Sequence, residues 1–257
     1  MTDTLREPSR TTNPPAERAV PQARPWWRVA PVDRHGLAVW VVAYVVMTAL
    51  AIGAGYLLIH ELGAVRSFDD RVARWLSRHR ANLWDDVTWA GSMIADAYVK
   101  IPATLLLSAL FLWRWRRWTE PALLAGALLL EVAVFVTTAI AIDRPRPPIS
   151  HLDPIPPTGS FPSGHSAAAV AFYGAIAIIV CWHTRNRLGR TIAIAVAVLM
   201  PLIVGASRMY RGMHHLSDVV VGLVIGVISL WVTWLVVRRG PAARAAPIEK
   251  REAERYA

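Results

Sequence analysis

The chain has 257 residues, of which 54% are hydrophobic, and its 28 lysines and arginines against 18 carboxylates give a net charge of +10. The apolar residues come in long runs with almost no charge, which excludes an ordinary soluble domain. The positive charge lies at the ends of these runs rather than on one folded face, which argues against a nucleic-acid-binding protein. Cys181 is the single cysteine, so an intrachain disulfide and a cysteine zinc cluster are excluded as well.

The two ends of the chain differ in composition from its middle. Residues 1–35 are rich in Pro, Arg and Thr, and they contain no apolar core of the kind that a signal peptide needs. We expect these residues, and the polar tail at 239–257, to be disordered and to lie in the cytoplasm. The region between them, 36–238, is predicted to form one membrane domain.

Six apolar segments of this domain are long enough, or nearly so, to cross a bilayer as a helix, which takes roughly 20 residues. The weakest of them carries Lys100 and Pro102 near its start. The predicted spans are 37–59, 98–113, 121–142, 166–182, 191–207 and 219–237. The fold class is therefore predicted to be all-α and polytopic, with six transmembrane helices.

Between the first two spans, apolar side chains recur at helical spacing while charged side chains fill the opposite face. The apolar positions are Phe68, Val72, Trp75, Leu76 and His79, and the charged ones are Asp69, Asp70, Arg71, Arg74 and Arg78. The pattern predicts an amphipathic helix on the outer surface of the membrane. Its apolar face either packs on the bundle as a lid or contacts lipid.

The distribution of basic residues predicts the orientation of the spans. Eighteen of the 28 lie in the two tails, between the second and third spans, or between the fourth and fifth spans. Because Lys and Arg are retained on the cytoplasmic side, these parts are predicted to be cytoplasmic. The remaining connections are then extracytoplasmic.

Three polar segments, 143–148, 160–165 and 207–218, fall on the extracytoplasmic side under this topology. A phosphate needs cations and N–H donors fixed around its oxygens. Arg146 and Arg208 offer planar guanidinium forks. Ser163 and Gly164, placed just before a helix, offer a hydroxyl and free backbone amides at a positive helix end. These four residues are predicted to bind phosphate.

Two histidines and an aspartate complete this chemistry. Neutral His214 can attack phosphorus, and protonated His165 can give a proton to the leaving oxygen. Asp218, four residues after His214, can hold the other ring nitrogen and stabilise the positive charge that forms. The arginines supply the charge, so the scheme requires no metal ion.

These segments resemble the signatures of the type 2 phosphatidic acid phosphatase (PAP2) family, membrane lipid phosphatases that share a site with vanadium haloperoxidases. Pro162 to His165 match Pro-Ser-Gly-His, and Ser-Arg-x5-His-x3-Asp is matched from Ser207 to Asp218. The resemblance covers roughly residues 60 to 237. It implies a six-helix bundle, a phosphohistidine on His214 and no metal cofactor.

The first family signature, Lys-x6-Arg-Pro, is matched only by Arg146-Pro147, because Ala139 stands at the lysine position. As a hypothesis, Lys100 or Arg144 supplies the lost charge. The alternative for Lys100, which we favour at this point, is a side chain that snorkels towards the membrane surface.

Glu131, inside the third span, is either functional, as intramembrane carboxylates often are, or bonded to another helix.

Two further histidines lie near the motifs. His215 has no motif role and is interpreted as a neighbour of His214. His151 lies in the 143–162 loop, where it either touches substrate or is a surface histidine, the interpretation that we favour.

The sequence thus predicts a metal-independent lipid phosphatase with its site at the outer leaflet. By family resemblance, the candidate substrates are polyprenyl diphosphate, phosphatidate and phosphatidylglycerol phosphate, with polyprenyl diphosphate placed first. Two alternatives stay open: a phosphotransferase that uses the same residues, and a non-catalytic lipid-binding relative, suggested by Ala139. A transporter is disfavoured, because the halves show no repeat and no pair of broken spans. The oligomeric state is not predicted.

Overall fold

The computed structural model describes residues 26–244, and within them it contains eight α-helices. In chain order these are α1 (Arg34–His60), α2 (Gly63–Arg78), α3 (Asn82–Met93), α4 (Ala97–Trp115), α5 (Thr119–Ala141), α6 (Gly164–His183), α7 (Arg187–Tyr210) and α8 (Leu216–Arg238). Six of them, α1 and α4 to α8, are long and apolar enough to cross a membrane. The predicted fold class is confirmed, and the chain is a multi-pass membrane protein.

The core lies where α5, α6 and α8 pack together, with α1, α4 and α7 around them. Association of helices in a membrane depends on close van der Waals packing, which small residues allow. Two glycines of α8 show this directly. A Cβ on Gly222 would lie 2.4 Å from the carbonyl oxygen of Ser163, and one on Gly226 would lie 2.5 Å from that of Ala167. Helix α8 therefore lies directly against the start of α6, where a motif segment begins.

The predicted amphipathic helix corresponds to α2, and of the two alternatives for its apolar face the structure favours the one in which the aromatic side chains point away from the bundle. Asp69 is 1% exposed, whereas Phe68 and Trp75 are 47% and 59% exposed. The carboxylate turns inwards because it bonds to Arg144 and to Ser217. Helix α2 thus packs on the bundle through a polar contact and leaves its aromatic side chains on the outside.

Helix α3 is absent from our prediction, which left residues 82–93 in the connection before the second span. It packs against α7. The contact is close, since a Cβ on Gly91 would lie 2.4 Å from the Ser207 hydroxyl oxygen. The helix is short, and its large side chains Trp84 and Trp89 point outwards, so its sequence carries no clear core-facing stripe.

The predicted disordered tails fall mostly outside the described residues. The parts that are described, next to the bundle, are ordered. Trp26–Arg28 forms a 3-10 helix, and the Trp26 ring lies 6.5 Å from the Trp118 ring. The amide of Ala242 donates to the carbonyl of Ala30 at 3.2 Å. The packed part of the chain therefore extends beyond the predicted limits of 36 and 238.

Candidate active site

The three motif segments meet at one end of the bundle, which we call the site end. They are the loop after α5, the start of α6, and the connection from α7 to α8. Backbone hydrogen bonds join them: Ser160 donates to Arg144 at 2.8 Å, and Ser163 donates to Asp218 at 3.0 Å. The relative positions of the motif side chains are therefore fixed by the main chain.

His214 lies in the α7–α8 connection and is 6% exposed. Its Nδ1 lies 2.6 Å from the carbonyl oxygen of Ser160. A carbonyl oxygen only accepts, so Nδ1 must carry the hydrogen, and Nε2 keeps its lone pair. Burial, and the nearby charges of Arg208 and Arg146, hold the pKa of His214 well below its usual value of 6.5. The ring is thus neutral, with Nε2 as its unprotonated nitrogen.

Asp218 is placed differently from the prediction, in which it held the ring of His214. Its Oδ2 lies 4.0 Å from Nδ1 of His214, because the Ser160 carbonyl takes that position. The carboxylate instead accepts from the backbone amide of His215 at 2.8 Å and pairs with Arg144. Asp218 therefore fixes the start of α8 and acts on His214 only through space.

His215 is more than a neighbour of His214. It is 6% exposed and is the N-cap residue of α8. Its Nδ1 lies 3.2 Å from Oδ2 of Asp218, and its Nε2 lies 3.7 Å from Oδ1 of Asp70. It thus links α2 to the start of α8.

His165 stands in the first turn of α6 and is the second imidazole of the site. Its Nε2 lies 3.6 Å from Oδ2 of Asp96, the N-cap residue of α4. Nothing in the sequence pointed to this partner, because Asp96 belongs to none of the motifs.

The two predicted phosphate-binding arginines are both at the site end. Arg208 donates to the Ser92 hydroxyl at 2.8 Å and pairs with Asp153 at 3.0 Å. Arg146 donates to the carbonyls of Thr158 and Gly159, both at 3.2 Å, and to that of Met213. Within residues 26–244, the buried Nε of each guanidinium has no partner. Both groups thus keep a free donor.

Ser163 and Gly164 precede and open α6, as predicted. The Ser163 hydroxyl is buried and lies 2.9 Å from the hydroxyl of Ser166. Among the described residues, no side chain caps the first turn of α6, which leaves its amides open to an anion. A Cβ on Gly164 would lie 3.0 Å from the ring of Phe135, so packing also requires a small residue there.

The two hypothetical substitutes for the missing motif lysine are placed very differently. Arg144 is 3% exposed, and it pairs with Asp69 at 2.8 Å and with Asp218. Both of its terminal nitrogens are therefore occupied. Lys100 is 4% exposed, so the interpretation that it snorkels to the membrane surface is wrong. Lys100 follows Asp96 by one turn of α4, and its amide donates to the Asp96 carbonyl at 2.9 Å.

Sequence reasoning missed Asp69, Asp153 and Ser160. Asp69 accepts from the Ser217 amide at 3.1 Å, and Asp153 pairs with both Arg208 and Arg211. Ser160 contributes only its carbonyl oxygen, a group that every residue carries, so no sequence signal identifies it. For Asp69 and Asp153, the only indication in the sequence was that each is a carboxylate in an outer connection that also contains arginines.

The loop after α5 encloses a cavity of about 640 Å³, lined by 143–151, Ile155, Thr158 and Gly159. His151 is half-buried in its wall, and its pKa is lowered by burial and by the charges of Arg146 and Arg80. Among the described residues, no group of three or more His, Cys, Asp or Glu side chains is placed to hold a metal ion.

Residues 120–241 match the family model of the PAP2 superfamily. Phosphatidylglycerophosphatase B of Bacillus subtilis (strain 168) is 27% identical over 185 residues, which are 66% of this chain and 83% of the relative.

Two solved structures are similar to the chain. One is the first transmembrane PAP2 type phosphatidylglycerolphosphate phosphatase from Bacillus subtilis, with a TM-score of 0.64 and 21% identity over 77% of this chain and 93% of the other. This likeness shows the shared fold. The other is Aquifex aeolicus LpxE, with a TM-score of 0.48 and 26% identity over 63% and 92% of the two chains.

Proposed function

We propose that this chain is a phosphatase of the PAP2 superfamily and that it hydrolyses the phosphate ends of membrane lipids through a phosphohistidine on His214. The observation that carries the proposal is the hydrogen bond from Nδ1 of His214 to the Ser160 carbonyl. It leaves Nε2 as the nucleophile, within reach of the charges of Arg146, Arg208 and His165.

The first chemical step is an in-line displacement at phosphorus. Nε2 of His214 attacks, the bond from phosphorus to the leaving oxygen breaks, and protonated His165 gives that oxygen its proton. Arg146 and Arg208 bind the phosphoryl oxygens through their free donors and stabilise the charge of the transition state. The open amides at the start of α6 add further donors.

The second step returns the enzyme to its starting state. Water attacks phosphorus, His165 takes a proton from that water, and the bond from phosphorus to Nε2 breaks, so that phosphate is released. Asp218 is a positioning residue in both steps, since it holds the start of α8 and pairs with Arg144. The arginines supply the positive charge, and the reaction as written uses no metal ion.

The substrate is proposed to be a lipid with a phosphate monoester or diphosphate end. The curated relative is a phosphatidylglycerophosphatase, which supports phosphatidylglycerophosphate as one candidate. Phosphatidate and polyprenyl diphosphate complete the set. A site at the end of the bundle lies at the depth of lipid headgroups, where such phosphates are found.

The orientation is part of the proposal. The connections α4–α5 and α6–α7, which carry Arg114, Arg116, Arg117, Arg185, Arg187 and Arg190, lie at the end opposite the site. Positive charge favours the cytoplasm for that end and for both termini. The site then faces the outer leaflet. Labelling of a cysteine introduced in the 143–160 loop from outside intact cells tests this orientation, and labelling only after lysis would reverse it.

The decisive experiment is phosphate release by the purified protein in detergent, over the three candidate lipids, with and without EDTA. We expect release from at least one lipid and the same rate with EDTA. Inhibition by EDTA would contradict the metal-independent mechanism. Adding an alcohol acceptor separates hydrolysis from phosphoryl transfer, because a transferase would yield a phosphorylated alcohol. Absence of any turnover would favour a lipid-binding relative.

A further inference from the structure

We propose that Lys100 supplies, on the leaving-group side of phosphorus, the positive charge that the first family signature lacks at Ala139. The inference rests on the proposed function and adds a residue from α4, a helix that carries none of the three signatures.

The first observation is that Lys100 is buried and, among the described residues, its ammonium has no hydrogen-bond partner. Lys100 is 4% exposed and Glu131 is 3% exposed, on two helices that pack together. Their charges interact, yet within residues 26–244 neither Nζ of Lys100 nor Oε2 of Glu131 has a hydrogen-bond partner. A buried ammonium is costly in a membrane protein unless it is used or paired. Lys100 thus has donors to offer to a further anion.

The second observation places Lys100 on the side of His165. Lys100 follows Asp96 by one helical turn, and its amide donates to the Asp96 carbonyl at 2.9 Å. The Asp96 carboxylate in turn lies 3.6 Å from Nε2 of His165. In an in-line displacement the nucleophile and the leaving oxygen stand on opposite sides of phosphorus. Since His165 is the proton donor, Lys100 lies on the leaving-group side.

The third observation connects Lys100 with the position of the missing lysine. Glu131, Phe135 and Ala139 are spaced by four residues and so share one face of α5. The Phe135 ring touches Gly164, the residue before His165. Ala139 is 6% exposed and stands within one turn of the end of α5, as Lys100 does at the start of α4. The two positions therefore approach the same part of the site from neighbouring helices.

Arg144 does not fill this role. Its terminal nitrogens are bonded to Asp69 and to Asp218, which fixes its charge at the α2–α8 contact. The charge of Lys100 has no such fixed bond. Among the two hypotheses for the lost lysine, the structure favours Lys100.

The test compares two substrates for the variant Lys100→Met. Phosphatidate has an alkoxide leaving group that needs protonation, whereas p-nitrophenyl phosphate has a good leaving group that needs little. We expect kcat on phosphatidate to fall roughly a hundredfold, as for loss of one charged donor in a site. The factor by which kcat on p-nitrophenyl phosphate falls should be about ten times smaller. A merely structural lysine would slow both substrates equally, and equal losses, or none, overturn the proposal.

A second variant moves the charge back to the family position. In the double variant Lys100→Met with Ala139→Lys, we expect most of the loss on phosphatidate to be recovered, and Lys100→Arg should keep a larger share of activity than Lys100→Met. If Lys100→Met aggregates, Lys100→Gln is used in its place. The loss of kcat on phosphatidate is then compared with the loss on p-nitrophenyl phosphate in the same way. A folded double variant that stays as slow as the single one counts against the proposal.

The matched control is Arg117→Met, which removes a paired cation at the opposite end of the bundle. It should leave the ratio of the two rates unchanged. A wild-type protein that releases phosphate from no lipid contradicts the proposed function itself. An active wild type with equal losses in Lys100→Met contradicts only the role of Lys100.

Discussion

Both ends of the bundle bury a carboxylate together with arginine and histidine, but they differ in how completely these groups are bonded. At the end opposite the site, Glu120 is fully buried, and it accepts from Arg117 at 2.9 Å and lies 2.8 Å from Nε2 of His183. The Trp115 ring stacks on His183 at 3.7 Å. Every charged group of this cluster has a partner.

The site end keeps donors free. Among the described residues, the Nε atoms of Arg146 and Arg208 and the Nζ atom of Lys100 are buried without a partner. Buried donors without partners are costly. An anion bound at the site end would complete their bonding. The comparison teaches that burial and charge do not by themselves distinguish the two ends, whereas the buried cations do: those of the site end keep free donors, and Arg117 is paired.

The largest expected effect is the loss of the nucleophile. His214→Ala should reduce phosphate release by roughly 10⁴-fold, because no other side chain takes over the attack at phosphorus. The control is His183→Ala, which removes the imidazole of the other end and should leave kcat unchanged. Phosphate release from equal amounts of folded protein measures both. An active His214→Ala variant would exclude the phosphohistidine.

Removal of a guanidinium from the site should have the next largest effect. Arg208→Met is expected to lower kcat/KM roughly a hundredfold, since the transition state loses a charged donor. Arg114→Met, at the other end of the bundle, is the matched control and should show no loss. Comparable losses in both variants would point to a general destabilisation, which thermal unfolding in detergent would reveal.

Breaking the bonded clusters separates stability from activity. Asp69→Asn leaves Arg144 with one carboxylate fewer and should cost ~3 kcal/mol of stability, as for other broken buried pairs. It should also lower kcat, because α2 and the start of α8 lose their common contact. Glu120→Gln should also lower the stability, measured as Tm, but it should leave kcat unchanged. If Asp69→Asn were as active as the wild type, the Asp69–Arg144 pair would have no part in positioning the site.

The smallest effect concerns pH. Because the pKa of His214 is held well below 6.5, the ring stays neutral as the pH falls through 6.5, and the rate should decline only at lower pH. Arg146→Met removes a cation that opposes protonation of the ring, so the acid limb of kcat/KM should move up towards 6.5. The same substrate serves for both proteins, which cancels the titration of its phosphate. If the acid limb of kcat/KM does not move in Arg146→Met, the limb reflects the titration of a group other than His214.

The sequence predicted the fold more completely than the site. Hydropathy is a property of short segments, so all six spans were found within a few residues of their ends. The apolar stripe of α2 left packing on the bundle and contact with lipid both open, and the structure exposes Phe68 and buries Asp69, which has a partner 75 residues away. Helix α3 was missed because it faces α7 with Gly91 and Ser92 rather than with large apolar residues.

By itself, the sequence determined that the chain has six segments able to cross a membrane and that its motif residues match two signatures of the PAP2 family, since composition and motif spacing are local features. Only the tertiary structure decided what each residue contacts. It placed the backbone carbonyl of Ser160, instead of Asp218, at the Nδ1 atom of His214, and it buried Lys100 one helical turn from Asp96. These contacts depend on where separate helices meet, because a hydrogen bond requires atoms within about 3 Å, and sequence spacing does not fix such distances.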